Sequence, residues 1–149
     1  MFGPDLINEA RIGCGLEIAS KKRLLETLAE LLARDHPRLQ PETVFEHLLE
    51  RERLGSTGLG HGIALPHARM KDVGEAIGAF VQTVRGVDYD AADGEPVDLA
   101  FALLVPELAN EEHLRLLAHL ASLFSDPNVR ARLREATSPA EILHVLSAF

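Results

Sequence analysis

Cysteine is almost absent from this 149-residue chain: Cys14 stands alone. No internal disulfide can staple the fold, and the composition fits a reducing compartment such as the cytoplasm. Long apolar runs are missing as well. No stretch approaches the roughly 20 residues that span a bilayer, and the opening Met1-Phe2-Gly3-Pro4-Asp5 has neither the basic flank nor the apolar core of a secretory signal. Membrane insertion is therefore not expected. There is no basic surplus either, since 15 Lys and Arg face 23 Asp and Glu for a net charge of −8. Nucleic-acid binding draws on counterion release by basic side chains, so this balance argues against a nucleic-acid partner. An acidic surface confers solubility and attracts basic proteins. Repeats, low-complexity tracts and linkers are also lacking, which leaves a single domain over residues 1–149. With 46% apolar and 26% charged residues, a chain of this length can bury a sizeable core unaided.

The apolar pattern places helices at both ends and strands between them. Ser20 is a cap for a helix over residues 20–35, where Leu24, Leu25, Leu28, Leu31 and Leu32 recur at three-to-four spacing. Pro41 suits a first helical position, and Val44, Phe45, Leu48 and Leu49 form a stripe that ends at Gly55. Ala76–Val84 and the almost continuously apolar Val97–Val105 are strand candidates, with Asp93-Gly94 as a turn between them. Asn110 and Asp126-Pro127 open two further helices. Ser138-Pro139-Ala140-Glu141 has capping-box spacing for the last. This order gives an α/β or α+β layered domain.

Between Gly55 and His67 the texture changes. Four glycines fall within the eight residues Gly55–Gly62, followed by Ile63-Ala64-Leu65 and a break at Pro66. Glycines let backbone amides approach an anion without an intervening Cβ. Yet no lysine stands where a Walker-type phosphate loop needs it, and Pro66 interrupts any direct entry into a helix. A phosphate reached by this loop is better carried on a side chain than on a bound nucleotide.

Imidazole is a suitable carrier. His36, His47, His119 and His144 lie in or at the ends of helical stretches, but His61 and His67 flank the glycine-rich turn, and His113 is third in a helix following a buried strand. A neutral imidazole held in one tautomer keeps a lone pair for in-line attack on phosphorus. Arg69, and Arg51 or Arg53 if the helix end folds back, can meet phosphoryl oxygens. Metal binding is the rival use: His61, His67 and His113 offer three nitrogens to a hydrolytic zinc. No H-E-x-x-H or paired cysteines support it, so no metal or other cofactor is expected. Ser56 has no G-x-S-x-G setting, and Cys14 is remote in sequence from any histidine.

The run from Gly55 through Gly62-Ile63-Ala64-Leu65-Pro66-His67-Ala68-Arg69 resembles the signature of the mannitol/fructose-type IIA domains of the bacterial phosphotransferase system, most nearly the nitrogen-regulatory branch. Ser20-Lys21-Lys22-Arg23, Pro96–Pro106 and His113-Leu114 agree with it, and only the first fifteen residues match less well. The resemblance implies a mixed β-sheet flanked by helices. It implies that His67 accepts a phosphoryl group from an HPr-like carrier and that His113 is the second active-site histidine. Ser56, Thr57, Gly62 and Arg69 are then neighbours of the phosphoryl site. Ala68-Arg69 replaces a frequent glycine and lysine, and His61 a frequent asparagine. The resemblance further implies a cytoplasmic carrier and regulator rather than a stand-alone turnover enzyme, with targets such as potassium transport or sensor-kinase proteins. The absence of a second domain before the end at Phe149 favours that reading over a sugar-specific IIA that passes phosphate to a separate IIB. The acceptor is expected at a solvent-accessible loop edge.

Overall fold

Strand β6 (Val97–Pro106) is the axis of the molecule, because its alternation of side chains builds both cores at once. The computed structural model describes residues 6–108 and 110–148. Met1–Asp5, read above for targeting signals, and Phe149, at the end of the expected domain, lie outside the described residues. A 3-10 turn at Glu9–Arg11 leads into β1 (Ile12–Leu16). Helices α1 (Lys21–Ala33) and α2 (Pro41–Leu54) follow, then the short strands β2 (Gly58–Gly60), β3 (Ile63–Ala64) and β4 (His67–Met70). The long strand β5 (Ile77–Val87) precedes β6, and α3 (Glu111–Ser125), α4 (Pro127–Glu135) and α5 (Pro139–Ser147) complete the order.

The sheet is mixed. Its path runs β1-β5-β6-β3-β2, and β4 also pairs with β6. β5 and β6 are antiparallel, whereas β1 lies parallel to β5 and both β3 and β4 lie parallel to β6. The pairs Ile63↔Leu99 and Ala64↔Ala100 give way to His67↔Leu103 on the same edge of β6. β3 and β4 thus form one broken strand, with the break at Leu65-Pro66.

One face of the sheet packs on α1 and α2. There Ala100, Ala102 and Leu104 of β6 meet Leu24, Leu25, Leu28, Leu32, Val44 and Leu48. The opposite face packs on α3, α4 and α5, where Leu99, Phe101, Leu103 and Val105 meet Leu120, Phe124, Leu133, Ile142 and Leu146. The period-2 alternation of a strand buried on both faces accounts for the unbroken apolar reading of Val97–Val105. Each fully buried Leu or Phe contributes about 1.5–3 kcal/mol. Phe80, Phe101 and Phe124 cluster with ring centroids 6.0–6.4 Å apart, the spacing of offset or tilted aromatic pairs.

The caps expected from sequence form. Ser20 Oγ accepts from the Arg23 N–H at 3.1 Å, Pro41 opens α2, Gly55 closes it, and Asp126 caps α4. At α5 Ser138 Oγ accepts from the Glu141 N–H. The Glu141 carboxylate, however, reaches one residue further back, to the Thr137 N–H and hydroxyl, so the capping-box spacing yields a wider clasp. Strands β1, β2 and β4 were not legible in the apolar pattern. β1 is Ile-Gly-Cys-Gly-Leu, β2 is Gly-Leu-Gly and β4 is His-Ala-Arg-Met, and none carries enough β-branched or aromatic residues to stand out. Among the described residues no helix is long and apolar enough to cross a membrane.

Gly78 is the tightest point of the central pair. A Cβ there would lie 2.6 Å from the Phe101 ring, and the Gly78 N–H also donates to the Leu6 carbonyl. Gly78→Ala is expected to lower stability by about 1–3 kcal/mol, measured by denaturant unfolding. Unchanged stability would show that the ring yields freely.

Candidate functional site

β4 runs along β6 as an edge strand, and its alternation decides what faces the cleft. Ala68 and Met70 point into the α1–α2 core. His67 and Arg69, in register with Leu103 and Val105, lie on the α3 face. His67 therefore opens a strand instead of lying in a loop, and its side chain is half-buried. The reason is Pro66: it has no N–H for a ladder, yet its carbonyl accepts from the Leu103 N–H at 2.9 Å, so pairing resumes one residue later.

The break leaves the Leu65 carbonyl turned toward the imidazole. His67 Nδ1 lies 2.8 Å from Leu65 O. A carbonyl can only accept, so Nδ1 carries the proton and Nε2 of the neutral ring keeps its lone pair. The charge state agrees. Burial pushes the His67 pKa below the usual value of 6.5, and the positive charges of Arg51 and Arg69 push it further, against the opposing pull of the Leu65 carbonyl and Glu52. At neutral pH this ring is uncharged, with the lone pair on Nε2.

His113 is held in the complementary sense. It occupies the third position of α3, where Asn110 Oδ1 accepts from its N–H and its own Nδ1 accepts from the Asn110 N–H at 3.2 Å. This is a capping box closed by histidine in the place usually taken by Glu or Gln. Because Nδ1 accepts, the proton of the neutral ring is on Nε2, which becomes a donor.

His67 and His113 line one cleft of about 690 Å³ with Arg69, His47, Arg51 and Arg53. Leu54 and Leu114, 84% and 60% exposed, stand on its walls. The cleft thus joins an imidazole nitrogen with a free lone pair, an imidazole N–H donor and three guanidinium groups, bordered by an apolar rim. Such a set suits a small, multiply charged anionic group brought in by a partner.

The other sequence-derived candidates lie elsewhere. Thr57 is buried, and its hydroxyl donates to Glu52 while Tyr89 bonds to the same oxygen. Ser56 Oγ accepts from the Gly58 N–H. Neither lines the cleft. Gly62, at φ +81°, leaves room for Arg134 and Asp98, which a Cβ would strike at 2.5 and 2.7 Å. His61 sits in the β2–β3 turn at φ +58° and borders a second cleft with Asp93, Asp98 and Arg134. That left-handed backbone is one a non-glycine residue adopts only at a cost, which is least for asparagine. His61, His67 and His113 are not gathered, and among the described residues no three His, Cys, Asp or Glu are placed to hold a metal ion.

Glu52 is the residue that sequence reasoning missed. A carboxylate in the last turn of α2 opposes the helix dipole, and that local conflict was the available signal. It is resolved by burial against Lys21, with Nζ at 2.9 Å. The charges around His67 carry a testable consequence. Its imidazole is expected to titrate below 6.5 by NMR. Arg51→Met should raise the midpoint by removing a nearby cation, and a midpoint unchanged by Arg51→Met would mean that Arg51 does not act on the ring.

The model of the family described as phosphoenolpyruvate-dependent sugar phosphotransferase system, EIIA 2, matches residues 5–149. The nitrogen regulatory protein of Pseudomonas aeruginosa is 51% identical over 125 residues, covering 84% of this chain and 80% of that protein. The crystal structure of nitrogen regulatory protein IIA-Ntr from Neisseria meningitidis superposes with a TM-score of 0.88 at 46% identity, over 93% of this chain and 94% of that one. Mannitol IIA of Escherichia coli, solved in complex with phosphorylated IIB, superposes at 0.80 with 27% identity, over 96% and 98% of the two chains. On the extent of that match, the chain belongs to the EIIA type 2 family of the phosphoenolpyruvate-dependent phosphotransferase system.

Proposed function

We propose that His67 Nε2 accepts a phosphoryl group from a phosphohistidine on a small HPr-like carrier, and that the resulting charge sets which regulatory proteins bind. The observation that carries this reading is the Nδ1–Leu65 hydrogen bond, which leaves Nε2 alone with a lone pair at the cleft. In the transfer the Nε2–P bond forms as the donor's N–P bond breaks, and the donor imidazole departs with the electron pair of that bond. His113 Nε2–H donates to a phosphoryl oxygen, and Arg51 and Arg69 balance the equatorial charge.

The apolar rim of Leu54 and Leu114 supports docking of a protein donor, because a soluble phosphate ester would not need it. The similarity to nitrogen regulatory proteins supports the regulatory branch over a sugar-specific IIA. Targets of the potassium-transport or sensor-kinase kind fit a switch of this type: a phosphoryl group adds about 1.5–2 negative charges and three acceptor oxygens to a surface that is otherwise locally positive.

Two measurements test the reading. With phosphoenolpyruvate, enzyme I and an HPr-type carrier, the wild-type chain should take up acid-labile, alkali-stable phosphate, and His67→Ala should take up none. Equal labelling of the two would overturn the assignment. His113→Ala should slow transfer by about 10²- to 10³-fold, the cost of one preorganised donor, while leaving measurable label; an unchanged rate would remove His113 from the reaction. Acceptance should also fall as pH drops through the His67 pKa, below 6.5, because only the unprotonated ring attacks.

A further inference from the structure

We infer that Glu52 and Thr57 form a buried positioning pair that holds His67 in its reactive tautomer from behind the strand break. This inference rests on His67 being the nucleophile, and its test reads the imidazole directly.

The geometry is a continuous series of bonds. Glu52 Oε1 accepts from the Thr57 N–H at 3.2 Å, and Glu52 Oε2 accepts from the Thr57 hydroxyl. Thr57 O accepts from the Leu65 N–H at 3.0 Å. Leu65 O accepts from His67 Nδ1 at 2.8 Å. Leu65 is thus held at both its backbone groups, and the following Pro66 keeps it extended. A shift at Thr57 moves Leu65, and the Leu65 carbonyl is the group that chooses the tautomer.

The pair is itself anchored. The Thr57 hydroxyl has given its hydrogen to a carboxylate, so the Tyr89 hydroxyl, 3.0 Å away, donates to Thr57 Oγ1. Burial and the Glu52 charge push the Tyr89 pKa far up, which keeps that donor protonated. Lys21 Nζ lies 2.9 Å from Glu52 and 4.3 Å from the centre of the Tyr89 ring. The donations run Tyr89 to Thr57 to Glu52, with Lys21 closing on the carboxylate from α1. The Glu52 side chain is 2% exposed and Tyr89 is fully buried, so little solvent is available to substitute for a lost partner.

Glu52 also acts across space. His67 faces His47, Glu50, Arg51 and Arg53 from α2, Arg69 from β4 and His113 from α3. The negative charge of Glu52 partly offsets Arg51 and Arg69 at the ring.

The test is NMR of the full chain with 15N-labelled histidine, without any carrier protein, together with amide spectra to verify folding. Wild type should show His67 with Nδ1 protonated and Nε2 bare. Thr57→Val, which removes the hydroxyl at nearly constant volume, should lower the ratio of that tautomer to the other by about tenfold, the scale of one net hydrogen bond to a charged group. Thr57→Ser should restore it. Glu52→Gln should lower the same ratio and move the His67 titration midpoint further down, because the offsetting anion is gone. A purely structural role would reduce melting temperature while leaving tautomer and midpoint at wild-type values. Wild-type tautomer ratio in folded Thr57→Val or folded Glu52→Gln would overturn the inference; if one variant does not fold, the other decides. Failure of the wild type to accept phosphate would instead strike the proposed function and leave this measurement standing.

Discussion

The hydrogen bond from His67 Nδ1 to the Leu65 carbonyl is the contact on which the proposed chemistry of this molecule depends. It exists because β3 and β4 share one edge of β6 and are broken by a residue that cannot donate. Were the strand continuous, the Leu65 carbonyl would be committed to regular pairing and the ring would be free to protonate at either nitrogen. The proline break therefore converts an ordinary edge strand into a holder for one imidazole. The sheet behind it supplies rigidity, since β6 is buried on both faces and a site built on such a strand is placed more accurately than one on a loop.

Charge completes the arrangement. The chain carries a net charge of −8, yet Arg51, Arg53 and Arg69 converge with His47 on one cleft. A local cationic pocket on an acidic body suits a transient anionic group: the pocket holds the group, and the wider field opposes polyanions such as nucleic acids. Burial first, and then the charges of Arg51 and Arg69, disfavour protonation of His67. On the proposed reading, two histidines with opposite proton placement divide the work, one nitrogen attacking and the other donating. In that reading the hydrogen bonds that fix each ring are present before a partner arrives, which lowers the reorganisation required during transfer.

Much of the fold was legible because its helices announce themselves. Ser20, Pro41, Asn110, Asp126 and Ser138 all stand where caps or first turns form, and the uninterrupted apolar run of β6 follows from its burial on both faces. β1, β2 and β4 escaped notice because glycine, histidine and arginine dominate them; β1 and β4 are paired by β5 and β6, which are distant in sequence, and β2 by the two-residue β3. At the site, His67, His113 and the arginines could be named from residue type and from the family resemblance. What sequence could not supply was which neighbours turn inward. Thr57, which the resemblance placed beside the phosphoryl site, is a buried tether, and Glu52, which drew no reading from the sequence, is its anchor. Both depend on Tyr89, more than thirty residues further along, and only the folded chain brings them together.

The most direct test of the account is to identify which nitrogen carries phosphorus. After phosphorylation of the 15N-histidine-labelled chain by phosphoenolpyruvate, enzyme I and an HPr-type carrier, 31P–15N coupling locates the bond. The account predicts coupling to Nε2 of His67, with Nδ1 still protonated against Leu65. Coupling to Nδ1 of His67, or to any other histidine, would contradict it.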